Sequence, residues 1–90
     1  DTIKFSKKKL RIHDYKSGEG PTLIIQLRIY AALFCLEYRV NPEDIDTELA
    51  IYQSGAKNEE TADPAEIRRI MDKIIHFDKM IFDMKRGAIE

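Results

Sequence analysis

Residues 10–16 read Leu-Arg-Ile-His-Asp-Tyr-Lys, and they alternate apolar and polar side chains as half-buried β-strands do. Residues 2–5, Thr-Ile-Lys-Phe, alternate in the same way. The polar residues 6–9 between the two stretches predict a turn. The sequence therefore predicts a β-hairpin, and a turn centred on Lys7 and Lys8 fixes which residues face each other across it.

This hairpin register brings two carboxylates and a lysine onto one face. Asp1 lies directly opposite Asp14, and Lys16 shares their face because strand side chains alternate. Opposed Cβ atoms are about 5 Å apart, so the two carboxylates repel each other unless a cation neutralises them. Hard oxygen ligands at this spacing suit Mg²⁺ or Mn²⁺. If such an ion bound a substrate phosphate, Lys16 would orient the water that attacks the phosphorus or offset the negative charge on the phosphate.

A purely structural interpretation of the same residues remains open. In it, Asp1 is a frayed terminal residue, and Asp14 is a strand-end acid with Lys16 as its surface partner. The Lys-Lys tip lacks the Asn-Gly or Asp-Gly sequence that favours a two-residue turn. A slip of one residue in register would separate the two acids.

Residues 22–37 form an almost continuous apolar run, which predicts a helix packed against the sheet. Gln26 and Tyr30 interrupt this run with polar groups. They share one helix face because they stand four residues apart, and their polar groups need partners there.

Together these features resemble the PD-(D/E)xK nuclease superfamily, in particular its RecB-type and phage-type exonucleases. The resemblance rests on Asp1, the D-x-K sequence of residues 14–16, the following Gly18, and the Q-x-x-x-Y sequence from Gln26 to Tyr30. D-x-K alone is a weak signal, but the order and spacing of all these residues are specific in combination. The match covers about the first third of the chain.

The resemblance implies a role for each matched residue. Asp1 and Asp14 would hold Mg²⁺ or Mn²⁺, and the backbone carbonyl of Tyr15 would be a further ligand. Lys16 would be the catalytic lysine, acting beside the two aspartates. The residues bordering the active site and contacting the DNA strand would be Gln26 and Tyr30.

The superfamily also uses an acidic residue, or in this branch often a histidine, on a helix upstream of the first aspartate. Nothing precedes Asp1 in the sequence. We therefore expect residues 1–90 to be a single domain that is the C-terminal part of a longer nuclease domain, with the missing N-terminal portion of the same polypeptide as its partner.

The distribution of charge limits how this chain could hold DNA. Its net charge is −1 and its pI is near 6.2, so it lacks the positive balance of proteins that bind DNA by bulk charge. Lys7, Lys8, Lys9 and Arg11 nevertheless cluster at the hairpin tip. This cluster either contacts a phosphate backbone or forms a solvated turn.

The second half of the chain predicts one more strand before a long helix. Residues 45–52 alternate apolar and polar side chains, and their connection through the helix of residues 22–37 predicts a strand parallel to residues 10–16. Residues 54–62 are polar and predict a mobile loop.

A long amphipathic helix is predicted from Pro64 to Arg86. Asp63 is a typical N-cap, Pro64 favours the first helical position, and Glu66 can complete a capping box. Apolar residues then recur every three or four positions, and Gly87 predicts the helix end. The apolar face packs on the sheet or on upstream elements, or else it mediates self-association or docking of a protein partner.

The predicted fold is α/β, with a mixed sheet and the element order ββαβα, similar to a fragment of the restriction-endonuclease core. No apolar stretch is long enough to span a membrane. Cys35 is the single cysteine, so we expect a buried thiol and no iron–sulfur cluster within this chain.

The sequence thus favours a metal-dependent DNA nuclease. We expect an exonuclease that acts in recombination, repair or phage DNA processing, in the cytoplasm of a bacterial or phage-infected cell. One alternative is a non-catalytic DNA-binding or scaffold module that retains the nuclease fold. Another is a phage or mobile-element protein whose last helix docks onto a recombination partner.

Overall fold

The computed structural model describes residues 2–16, 24–53 and 55–89. Over these residues the chain is α/β, with a four-stranded mixed sheet and two α-helices. A 3-10 turn at Pro42–Asp44 precedes the third strand. The elements are β1 (Thr2–Ser6), β2 (Lys9–Lys16), α1 (Ile24–Tyr38), β3 (Asp46–Gln53), β4 (Ala56–Thr61) and α2 (Pro64–Ile89).

The first two strands form the predicted hairpin in the predicted register. The facing pairs include Thr2 with His13, Ile3 with Ile12, and Phe5 with Leu10. At the tip, Lys7 and Lys8 have φ angles of 52° and 62°, the left-handed conformations that a type I′ turn requires at both central residues. The tight turn therefore forms without glycine or asparagine. The predicted pairing of Asp1 with Asp14 lies outside the described residues, because it involves Asp1.

Parallel pairing of β2 with β3 confirms the predicted crossover through the first helix. Ile12 lies beside Leu49 and Asp14 beside Ile51. Helix α1 packs on these two strands, and α2 packs on α1 and on the 3-10 turn. The core between them is built from the apolar side of each element: Leu10, Ile12, Leu27, Ala31, Cys35, Leu49, Ile51, Ile67 and Met71.

The predicted loop at residues 54–62 is wrong, because residues 56–61 form strand β4. This strand pairs antiparallel with β3, and Gln53 faces Ala56 across the turn. Gly55 has a φ angle of +77° there, a conformation that glycine adopts without strain. Apart from Ala56, the side chains of β4 are polar, and most are exposed, so the sequence shows no apolar alternation. The observed element order is therefore ββαββα, one strand more than predicted.

Helix α2 begins as predicted and ends later than predicted. The side-chain Oδ1 of Asp63 accepts a hydrogen bond of 3.0 Å from the backbone N–H of Ala65, which confirms the N-cap. The predicted end at Gly87 is wrong, because the helix continues to Ile89. A glycine costs about 1 kcal/mol in a helix, which is too little to end one whose neighbours favour it. Among the described helices, none has the length and apolar character that a membrane span requires.

Candidate active site

Asp14 is a buried carboxylate near the end of β2. It alternates with Leu10 and Ile12, so it lies on the face of the sheet that α1 covers. Its side chain is 4 % exposed. Among the charged side chains whose exposure the structure describes, no other is buried to this degree. Aspartate is seldom buried unless its environment compensates for the loss of water, so Asp14 is the first candidate for a functional group.

Lys16 is the last residue of β2 and pairs with Gln53 at the end of the parallel ladder. It follows Asp14 by two positions, as the D-x-K sequence requires. The predicted orientation of its side chain lies outside what the structure describes. The predicted metal ligand Tyr15 lies between them in the same strand, and its side chain alternates to the opposite face of the sheet.

The donor set for a metal ion is only partly within the described residues. Asp14 offers one hard oxygen ligand, while Asp1, the second predicted ligand, lies outside them. No group of three histidine, cysteine, aspartate or glutamate side chains is close enough to hold a metal ion in the described parts of the chain. Mg²⁺ usually takes one or two protein carboxylates and completes its shell with water and substrate phosphate. Asp14 therefore fits such a site as one of its ligands.

Gln26 and Tyr30 lie on the solvent-facing side of α1. Both side chains are exposed, and Tyr30 is 42 % exposed. Tyr30 lines an apolar groove between α1 and β1, together with Ile3, Leu33, Phe34, Glu37 and Tyr38. Their predicted contact with a DNA strand stays a prediction.

The hairpin tip and Asp14 lie at opposite ends of β2. Lys7 and Lys8 are exposed, and Lys8 is six residue steps along the strand from Asp14, a distance of about 20 Å. Arg28, also on α1, is not available to a phosphate in this arrangement. Its guanidinium group binds the carboxylates of Glu60 and Glu66.

No protein-family model, no curated protein and no solved structure matches this chain. The assignment of a function therefore depends on the residues themselves.

An aromatic cluster on the opposite face of the sheet was not predicted. The rings of Tyr15 and Tyr52 stack with centroids 4.8 Å apart and planes 10° from parallel. His13 meets Tyr52 edge-on at 5.8 Å, and Lys57 Nζ lies 5.4 Å from the Tyr52 centroid. Lys57 also pairs with Glu59 at 2.9 Å, and this hydrogen bond lowers the pKa of Glu59 below its ordinary value. The cluster follows from the β2–β3 register, which places Tyr15 beside Tyr52.

The two faces of the sheet therefore carry different chemistry. The helix-covered face holds the buried carboxylate of Asp14 near the end of β2. The opposite face carries the stacked Tyr15 and Tyr52 beside Lys57, a surface that can support a nucleotide base.

Proposed function

We propose that this chain belongs to a metal-dependent DNA nuclease of the PD-(D/E)xK type. The observation that carries the proposal is the burial of Asp14 near the end of β2, two positions before Lys16 and on the sheet face covered by α1. A mixed sheet with a parallel β2–β3 pair joined through α1 is compatible with this function.

In this function, Asp14 and Asp1 would hold Mg²⁺ or Mn²⁺ through their carboxylate oxygens. The ion would lower the pKa of a bound water and neutralise charge that develops on the phosphate. The backbone of Tyr15 would add a carbonyl ligand. Lys16 would hold the attacking water or balance charge as the phosphorus–oxygen bond breaks and the leaving oxygen takes up a proton.

The remaining predicted residues would position the DNA. Gln26 and Tyr30 would contact the strand from α1, and Lys7 and Lys8 would bind phosphates about 20 Å from Asp14. Each nucleotide step advances about 3.4 Å along a duplex, so the tip would touch the backbone some six steps from the cleaved bond. A further acidic or histidine ligand, which the resemblance implies, would complete the site, and we expect the protein to act in the cytoplasm.

Calorimetric titration of Mn²⁺ into the intact polypeptide that contains this segment tests the proposal. The variants are Asp1→Asn and Asp14→Asn, which keep the side-chain shape and remove the charge. Asp46→Asn is the matched control, because Asp46 is an exposed aspartate on β3. Circular dichroism establishes that each variant is folded.

We expect Mn²⁺ binding and Mn²⁺-dependent cleavage of linear DNA to be lost in Asp1→Asn and Asp14→Asn and retained in the control. Equal Mn²⁺ binding by all four proteins would overturn the metal site. Absence of binding in the unaltered protein, together with retained DNA binding, would favour the non-catalytic DNA-binding module.

A further inference from the structure

The C-terminal half of α2 carries a large exposed apolar surface. Ile67 and Met71 are buried against the core, whereas the described side chains from Ile75 to Gly87 are all exposed. The molecule measures 54 × 33 × 18 Å, an elongated shape that fits a helix extending beyond the sheet. The exposed apolar residues of this half are Ile75, Phe77, Met80, Ile81, Phe82 and Met84.

Three of these residues, Phe77, Ile81 and Met84, belong to a seven-residue repeat that runs along the helix. One position of the repeat is occupied by Ile67, Ile74 and Ile81, and another by Ile70, Phe77 and Met84. These two positions form the apolar seam of a coiled coil. The seam packs on the chain's own core as far as Ile74 and is exposed from Phe77 onward.

We propose that a second copy of this chain covers the exposed part of the seam, as an antiparallel pair of helices formed by residues 77–88 of each copy. The position of the core determines whether the two helices run parallel or antiparallel. In a parallel pair, the second helix would enter the seam at the level of Ile67 to Ile74, where α1 already lies. In an antiparallel pair, each domain lies beyond the end of the other helix.

Charges beside the seam favour one register of this antiparallel pair. When Ile81 lies level with Met84 of the second copy, Asp78 lies beside Lys85 of the second copy. Two-fold symmetry then forms this opposite-charge pair twice. A shift by one repeat, with Ile81 level with Phe77 of the second copy, would bring the two copies of Asp78 together. The first register is therefore the one in which both the apolar seam and the flanking charges match.

The exposed seam has the size expected of a weak dimer. Phe77, Ile81 and Met84 of the seam, and Met80 beside it, are between 45 and 71 % exposed. Covering these side chains on two copies would bury on the order of 1,000 Å² in total, which is the low end for specific interfaces. We therefore expect reversible association in the micromolar range.

Sedimentation equilibrium of the 90-residue chain over a range of concentrations tests this proposal. Ile81→Asp places a charge in the seam. Phe82→Asp is the matched control, because Phe82 is 64 % exposed on the same helix but lies outside the seam. We expect dimer formation to be lost in Ile81→Asp and retained in Phe82→Asp, with helical circular dichroism retained in both.

Charge reversal tests the register. Asp78→Lys should weaken association about tenfold, since it sets two lysines together in each of the two pairs, and adding Lys85→Asp should restore it. A chain that is monomeric at all concentrations, equal losses in Ile81→Asp and Phe82→Asp, or no restoration in the double variant would overturn the proposal. None of these measurements involves metal or DNA, so the nuclease proposal stands or falls separately.

Discussion

Arg28 of α1 binds both carboxylate oxygens of Glu60 on β4. Its Nη2 lies 2.6 Å from Oε1 and 2.8 Å from Oε2, and its Nε lies 2.9 Å from Oε1. Nη1 also donates to Glu66 in the first turn of α2, at 3.2 Å. Hydrogen bonding to Glu60 is the main reason that the pKa of Arg28 lies above its ordinary value. One side chain thus joins three elements, including the edge strand that the sequence did not predict.

Replacing Arg28 with methionine should destabilise the fold by about 1–3 kcal/mol. The substitution keeps much of the aliphatic stem but leaves Glu60, whose side chain is 26 % exposed, without its cation. Urea denaturation followed by circular dichroism measures the change.

Arg68→Met is the matched control for this prediction. Arg68 forms a similar pair with Glu43 at 2.7 Å, but the side chains are 37 % and 49 % exposed. An exposed pair contributes about 1 kcal/mol or less. Equal losses of unfolding free energy in the two variants would mean that the ion pairs of Arg28 stabilise the fold no more than an exposed ion pair does.

The β-hairpin and the parallel crossover could be predicted because their strands alternate apolar and polar residues. That pattern also placed Asp14 on the same face as Ile12. Strand β4 could not be predicted in this way, because its stability comes from the backbone ladder with β3 and from Glu60, whose partner Arg28 is 32 residues away in sequence. The signal in the sequence that could have indicated the β3–β4 hairpin was Gly55, which lies between two short segments as a turn residue does.

Contacts between side chains of different elements show the same difference between what the sequence predicts and what it does not. The seven-residue repeat of α2 was visible in the sequence, but the point at which its seam leaves the core, between Ile74 and Phe77, was not. The Tyr15–Tyr52 stack likewise depends on the exact β2–β3 register, since a shift by one residue would place the two rings on opposite faces. Periodicity predicts which side of an element is buried, and it does not predict which distant side chains meet.

The hairpin tip should become more stable when its sequence matches its conformation. Lys7 and Lys8 both have positive φ angles, which cost a non-glycine residue roughly 1 kcal/mol each. Lys7→Asn combined with Lys8→Gly should raise the free energy of unfolding by about 1 kcal/mol. The measurement is again urea denaturation.

A double serine variant at the same two positions provides the control for charge. It removes both lysines without supplying a residue that favours positive φ. Equal stabilisation by the serine and Asn-Gly variants would assign the gain to relief of charge repulsion between lysines instead of to backbone conformation.

Cys35 should make stability decrease at alkaline pH. Burial raises the pKa of its thiol above the ordinary value, because the thiolate is disfavoured in the core. In the unfolded chain the thiol ionises near pH 8.5. The contribution of Cys35 is therefore fully present below about pH 8.5 and decreases as the pH rises toward the pKa of the folded state.

Urea denaturation at several pH values between 7.5 and 10, under reducing conditions, compares the unaltered chain with Cys35→Ala. The alanine variant should be less stable by roughly 1 kcal/mol near pH 7.5, because of its smaller side chain. It should also show a shallower decline with pH, since the other titrating groups are common to both proteins. Parallel curves would contradict the shift in the Cys35 pKa.

Lys7 and Lys8 allow a test of DNA binding at the hairpin tip that is independent of cleavage. Lys7→Gln with Lys8→Gln removes two exposed charges far from Asp14. If both lysines contact phosphates, the slope of log affinity against log salt should fall by nearly 2, at about 0.9 per contact. Fluorescence anisotropy of a labelled duplex, in the absence of metal, measures this slope.

The matched control for the tip is Lys73→Gln with Lys79→Gln, which removes the same charge from exposed positions on α2. Loss of net charge alone would change both variants equally. A smaller slope in the tip variant only would therefore assign the lost contacts to the hairpin tip. Equal slopes in the two variants would identify the tip as a solvated turn, and any DNA contact would then have to be made by other residues of the chain.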